Sequence, residues 1–169
     1  MSHHVAVIGA GPGGYAAAFY AADLGMQVTL IDNEKNPGGV CLYRGCIPSK
    51  ALLHAARVIE EARAASEIGI RFGPPEVDLS ALRGWKQRVV DRLPRGLGSL
   101  AKQRQVTYLQ GRATFEDAHT LHVRTADELT SVGFEYAIVA TGSLPAAPQA
   151  LRLDSPLLMD STAALELPD

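Results

Sequence analysis

Residues 5–32 read VAVIGAGPGGYAAAFYAADLGMQVTLID, and this stretch decides the fold. Val5 to Ile8 is a short apolar run that ends at Gly9, and Tyr15 to Leu24 is rich in alanine, which favours helix. Gln27 to Asp32 is apolar and β-branched, and reads as a strand. Strand, glycine turn, helix and strand make a βαβ unit, whose crossover places the two strands side by side and parallel. Gly9, Gly11 and Gly14 satisfy the spacing G-x-G-x-x-G between strand and helix. The first glycine permits a tight turn, the second lets a pyrophosphate approach the backbone, and the third lets the helix pack closely on the strand. The helix N-terminus then faces the phosphate charge. Asp32 follows at the end of the second strand, where a carboxylate can accept hydrogen bonds from a ribose. The spacing alone does not separate FAD from NAD.

Outward from this unit, a long helical stretch is predicted from about Val40 to Ser66. A second helix starts with Asp78 as its cap, and Leu82, Trp85, Val89, Leu93, Leu97 and Leu100 recur on one face, which predicts a buried stripe. Pro94 and Gly96 are expected to bend or break it. Val106 to Gln110 reads as a strand, and the segments 113–115, 120–124 and 131–134 as a small antiparallel meander. Tyr136 to Ala140 has the composition of a buried parallel strand and ends at Thr141-Gly142-Ser143. Prolines 145, 148, 156 and 168 punctuate an extended tail. The expectation is an α/β protein: a Rossmann-like doubly wound parallel sheet with a small antiparallel β-meander. Residues 1–143 would form the nucleotide-binding domain, incomplete, and residues 144–169 an extended connector.

The chain has 169 residues, 47% hydrophobic and 20% charged, enough for one globular core. Sixteen basic residues against 18 acidic ones leave a net charge of -2, with no bulk attraction to nucleic acid or to an anionic membrane. The longest apolar run, Tyr15 to Ala22, is far short of the roughly 18 residues a membrane span needs. Without a basic n-region or a cleavable apolar h-region at the N-terminus, the expectation is a cytoplasmic protein. Arg83, Lys86, Arg88, Arg92, Arg95, Lys102 and Arg104 gather in one helical region, and a solvated basic face explains them better than nucleic-acid binding, since Trp85 falls on the apolar face. His119 and His122 have no third ligand in view and His54 reads as a packed or solvent-facing side chain, so no metal site is expected.

The two cysteines, Cys41 and Cys46, are too few for a disulfide framework. Residues five apart on an ideal helix have Cα atoms about 8.7 Å apart, whereas a disulfide needs less than about 7 Å. A bridge therefore requires a distorted helix start, for which Gly45 gives freedom, and Pro48 is tolerated in a first turn. So short a loop makes a poor staple and a serviceable redox switch, with Arg44 and Lys50 as nearby cations. Two reduced, partly buried cysteines are the alternative on spacing alone.

The segment GGVCLYRGCIPSKALLH, residues 38–54, closely resembles the redox-active disulfide signature of the flavin-dependent pyridine nucleotide disulfide oxidoreductases. Within that group it looks most like the dihydrolipoyl dehydrogenases, since glutathione and mercuric reductases commonly carry Val in place of Ile47. The resemblance extends through residues 58–62, Trp85-Lys86, 140–143 and 160–165. It implies FAD rather than NAD at Gly9, Gly11, Pro12 and Gly14, with Asp32 on the adenosine ribose. It places Gly39, Val40, Cys41 and Lys50 near the flavin, Gly111 and Ala113 at the adenine end, and Thr141 and Gly142 along the cofactor. Cys41 resembles the sulfur that exchanges with dihydrolipoamide, and Cys46 the one that faces the flavin. The implied reaction passes electrons from protein-bound dihydrolipoamide through a Cys41–Cys46 disulfide and FAD to NAD, whose site would lie outside this chain. Implied partners are a lipoyl domain of a 2-oxoacid dehydrogenase complex or of the glycine cleavage system, and a second copy in a homodimer. The competing readings are a related glutathione- or mercuric-type reductase and a nucleotide-binding or interaction module without turnover. Tyr43-Arg44 stands where an Asn-Val pair is common in the family.

Overall fold

The computed structural model describes residues 3–146, 148–151, 153, 155 and 157–168. Strand β1 (His4–Ile8), helix α1 (Pro12–Asp23) and strand β2 (Gln27–Asp32) form the expected unit. β1 pairs with β2 in parallel from His4 opposite Gln27 to Ile8 opposite Ile31. β3 (Thr107–Gln110) adds in parallel to β2, and β7 (Tyr136–Val139) adds in parallel to the other side of β1, giving the order β3-β2-β1-β7. The alternation of a strand sorts the core onto two faces. Val5, Val7, Val28 and Leu30 meet Ala18 and Ala21 of α1, together with Ala101 and Val106. Ala6 and Ile31 meet Leu121, Val123, Val132 and Phe134 on the opposite face. Those four belong to or adjoin a three-stranded antiparallel meander, β4 (Arg112–Phe115), β5 (Thr120–Arg124) and β6 (Leu129–Gly133), in the order β4-β5-β6. The result is three layers: helix, parallel sheet, antiparallel sheet.

The long crossover from β2 to β3 carries the helices. The single helix expected over 40–66 is instead two, α2 (Gly39–Arg44) and α3 (Cys46–Ala64), followed by a 3₁₀ turn over Ala65–Ile68. Gly45 divides them with φ -142° and ψ -100°, outside the helical region. Asp78 caps α4 (Leu79–Gln103) by accepting from the Ala81 N–H at 2.9 Å, as expected. Pro94 does not break α4, which runs through it; its ring is fully buried, and that packing offsets the lost N–H. The leucine stripe is a second correction. Leu93 and Leu100 are exposed and Trp85 half-buried, whereas Lys86, Val90, Pro94 and Ala101 are the buried positions, because the face that meets α2 and α3 is rotated by about one residue from the leucines.

Lys86 accordingly leaves the solvated basic face: it is only 2% exposed. Its Nζ donates to the Leu165 carbonyl at 2.7 Å and to Glu166 Oε2 at 3.0 Å. Both partners lie at the end of α5 (Ser161–Leu165), a short helix capped by Asp160, so the tail is not extended throughout. β7 is parallel as expected but exposed along its whole length, because it stands at the edge of the sheet.

Candidate functional site

The switch in strand order falls between β1 and β7, where β1 is followed by a crossover to one side and flanked by a later strand on the other. Open α/β sheets bind ligands at the carboxyl ends of strands at such a point. The glycine turn sits there. Gly9 has φ +96°, and a β-carbon on it would lie 2.3 Å from the Ala140 carbonyl oxygen and 3.0 Å from Thr141 Cα. A β-carbon on Gly14 would lie 1.7 Å from the Gly9 carbonyl oxygen, which is the close helix-to-strand approach read from the motif. Gly11 precedes Pro12 at the first turn of α1, where no side chain caps the helix and the first N–H groups are left without a side-chain acceptor. Ala140 and Thr141 are thus brought against the turn, and Gly142 follows them with φ +72°.

Asp32 sits at the end of β2 with Oδ2 accepting from the Ala10 N–H at 2.6 Å and Oδ1 from the Glu34 N–H at 2.9 Å. A carboxylate has about four lone-pair positions, so both oxygens retain capacity for ribose hydroxyls. Gly111 donates its N–H to the Asp32 carbonyl at 2.8 Å, and a side chain there would collide with the Arg124 carbonyl oxygen. Beside it an open hollow is lined by Asn33, Gln110, Gly111, Arg124, Thr125 and Asp127. Ala113 lies on β4 opposite Val123 and packs into the core between the sheets, so its backbone rather than its methyl is left for a ligand.

Gly39 opens α2 against the glycine turn: at φ +58° its added β-carbon would stand 2.5 Å from Gly11 Cα. The Gly38 N–H donates to the Ala10 carbonyl at 2.8 Å. These contacts deliver Val40 and Cys41 to the same end of the sheet. Cys46 is the first residue of α3, and the bend at Gly45 sets it beside Cys41 as a neighbouring free thiol. Cys46 is exposed and Cys41 half-buried. The Cys41 thiol is pushed above its ordinary value, first by the hydrogen bond to Cys46 and then by burial, while the charge of Lys50 pulls it back.

A model of the pyridine nucleotide-disulphide oxidoreductase family matches residues 3–162. The chain belongs to that family. Among curated relatives, the dihydrolipoyl dehydrogenase of Haemophilus influenzae is 49% identical over 164 residues, covering 96% of this chain and 34% of that protein. That of Vibrio cholerae is 48% identical over 163 residues with the same coverage, and that of Geobacillus stearothermophilus 43% over 161 residues. The chain spans about a third of the length of these relatives. Among solved structures, the HOCl-induced flavoprotein disulfide reductase RclA from Escherichia coli aligns over 96% of this chain and 34% of its own, with TM-score 0.75 and 24% identity; this likeness concerns the fold.

The oxidoreductase family membership leaves two features that sequence reading did not supply. Arg44 pairs with Glu34 across the loop between β2 and α2, and the Tyr43 hydroxyl donates to the Asn36 carbonyl at 3.1 Å. Nothing in the sequence signals contacts that cross an irregular loop. No helix among the described residues is long and apolar enough to cross a membrane, and no group of three potential metal ligands gathers among them. An apolar hollow at the far end of α3, lined by Ile59, Ala62, Arg63, Phe72 and Pro74, contains none of the site residues.

Proposed function

We propose that this chain is the FAD-binding, dithiol-bearing portion of a dihydrolipoyl dehydrogenase. The observation that carries the reading is the placement of the neighbouring free thiols Cys41 and Cys46 at the end of the sheet where the glycine turn lies, with Gly39 of α2 packed against Gly11 and Gly45 turning α3 back beside Cys41. The cradle fits FAD: Gly9, Gly11, Pro12 and Gly14 would hold the pyrophosphate, Asp32 the ribose, Gly111 and Ala113 the adenine end, and Gly39, Val40, Lys50, Thr141 and Gly142 the remainder. Bulk is excluded where the backbone must approach, and the uncapped N-terminus of α1 supplies donors. When bound there, FAD supplies an acceptor for two electrons.

In the chain's own half of the chemistry, one thiolate of dihydrolipoamide attacks the Cys41 sulfur of the oxidised pair. The Cys41–Cys46 bond breaks, and Cys46 leaves as a thiolate. The second substrate thiol then displaces Cys41, closing the substrate disulfide and leaving both cysteines reduced. The bend at Gly45, which sets Cys46 beside Cys41, keeps the leaving thiol near its partner for reoxidation. NAD is the final acceptor, at a site we place outside residues 1–169. A lipoyl domain of a 2-oxoacid dehydrogenase complex or of the glycine cleavage system brings the substrate, and a second copy completes a homodimer in the cytoplasm. Residues 1–143 are assigned to the FAD domain and 144–169 to the connector.

Anaerobic absorbance and thiol titration of the chain with added FAD test this. Oxidised lipoamide should lower the thiol count from two to zero and dihydrolipoamide restore it. With bound FAD, the reduced chain should develop a long-wavelength charge-transfer band that Cys46→Ser abolishes and Cys41→Ser keeps. FAD bound beside two thiols that never pair would instead favour a nucleotide-binding module without turnover.

A further inference from the structure

Helix α2 carries Cys41 yet has only six residues, too few to be stable by itself, and neither of its ends has a side-chain cap. The position of the Cys41 sulfur therefore depends on what ties α2 down. At its N-terminal end the ties are backbone contacts with the glycine turn. At its C-terminal end, next to the break at Gly45, the burial of Leu42 and the packing on α3 and α4 are joined by the side chains of Tyr43 and Arg44. The Tyr43 hydroxyl donates to the Asn36 carbonyl at 3.1 Å, and the Arg44 guanidinium pairs with Glu34. Their partners sit on a firmly held loop. The Glu34 N–H donates to Asp32, the Glu34 carbonyl accepts from the Tyr108 hydroxyl at 2.8 Å, and Pro37 is fully buried.

We propose that Tyr43 and Arg44 are positioning residues: a two-point brace that fixes α2 to the 33–38 loop and so holds the Cys41 sulfur against Cys46. The proposal rests on the redox reading above. A braced pair has a higher effective concentration of one thiol at the other, which favours the disulfide. The same loop leaves the end of β2 directly after Asp32, whose Oδ1 accepts from the Glu34 N–H, so the brace also ties the sulfur pair to the nucleotide end of the site.

The test is the equilibrium of the 169-residue chain with glutathione, in which Cys41-SH and Cys46-SH with one glutathione disulfide give the internal disulfide and two glutathione thiols. Arg44→Met and Glu34→Gln should each lower the equilibrium constant two- to fivefold, and Tyr43→Phe by a similar factor. The Arg44→Met/Glu34→Gln double variant should fall no further than either single one, because both act through one ion pair. Arg44→Lys should recover most of the wild-type value. A direct effect of charge on the thiols would move the equilibrium in opposite directions for Arg44→Met and Glu34→Gln, and that result overturns the brace. So does an unchanged constant in both Arg44→Met and Tyr43→Phe. A wild-type chain that forms no internal disulfide at all removes the redox reading itself, and the brace with it, and is distinguished from the other outcomes before any variant is made.

Discussion

Tyr108 gathers much of the nucleotide loop onto one hydroxyl. It donates to the Glu34 carbonyl at 2.8 Å from a half-buried position beneath the loop. Burial, followed by the charges of Asp32, Tyr43 and Glu34, pushes its ionisation well above the ordinary value. Because the folded chain holds the protonated phenol more strongly than the unfolded chain does, the stability it contributes is complete below about pH 10, where the unfolded tyrosine ionises, and is lost as pH rises beyond that. The raised Cys41 thiol acts in the same direction from about pH 9 in the reduced chain. Urea unfolding of the reduced chain between pH 7.5 and 11.5 should therefore give a plateau followed by an alkaline decline. Tyr108→Phe should lower stability at pH 8 by about 1 kcal/mol through the lost hydrogen bond. Its decline above pH 10 should be shallower than that of the wild type, and since every other group is common to both chains, the difference isolates Tyr108. Parallel curves for the two chains would remove the claim.

Among the elements, α4 is where local pattern and tertiary packing part company. Its buried Lys86 is a methylene stem laid through the interior with its ammonium between the Leu165 carbonyl and Glu166 at the end of α5, which rests against α3. Arg83, nearly one turn earlier, donates to the Leu167 carbonyl, its Nε at 2.8 Å. The two side chains satisfy carbonyls that a helix end leaves open. Removing the buried charge is less costly than leaving it without its counter-charge. Lys86→Met should thus cost about 1 kcal/mol and Glu166→Gln more than that, and urea titrations giving the reverse order would sink the account. The same helix marks the limit of what sequence could tell. The βαβ unit was legible because glycine spacing, alanine content and a β-branched run all agree from Val5 to Asp32. The meander was legible from turns and alternation. The distorted helix start between the two cysteines was legible because Gly45 stands between them. The buried face of α4 was not, since six apolar residues outline one stripe while α2 and α3 meet the adjacent one. Lys86, Glu34 and Arg44 were invisible in their roles because each pairs across a long excursion or a loop, where periodicity carries no information.

For the molecule as a whole, the unfinished feature is the outer edge of the parallel sheet. Among the described residues β7 pairs with β1 on one side only, and Tyr136, Ile138 and Val139 are exposed, Val139 by 64%. Leu144 just beyond it is exposed by 89%. An edge strand with free N–H and C=O groups and apolar side chains is a template for another strand, and no lysine, proline or bulge interrupts residues 136–139. The 169-residue chain should therefore self-associate through this edge as its concentration rises. A charge placed on it must be desolvated when two edges meet, so Val139→Lys should weaken association at least tenfold while leaving the absorbance and thiol behaviour of the cysteine pair, at the other side of the glycine turn, unchanged. Sedimentation velocity from about 5 to 200 μM reads both expectations. Association that Val139→Lys leaves intact would assign it to another surface, and a wild-type chain that stays monomeric throughout would mean that the edge is protected by its own twist.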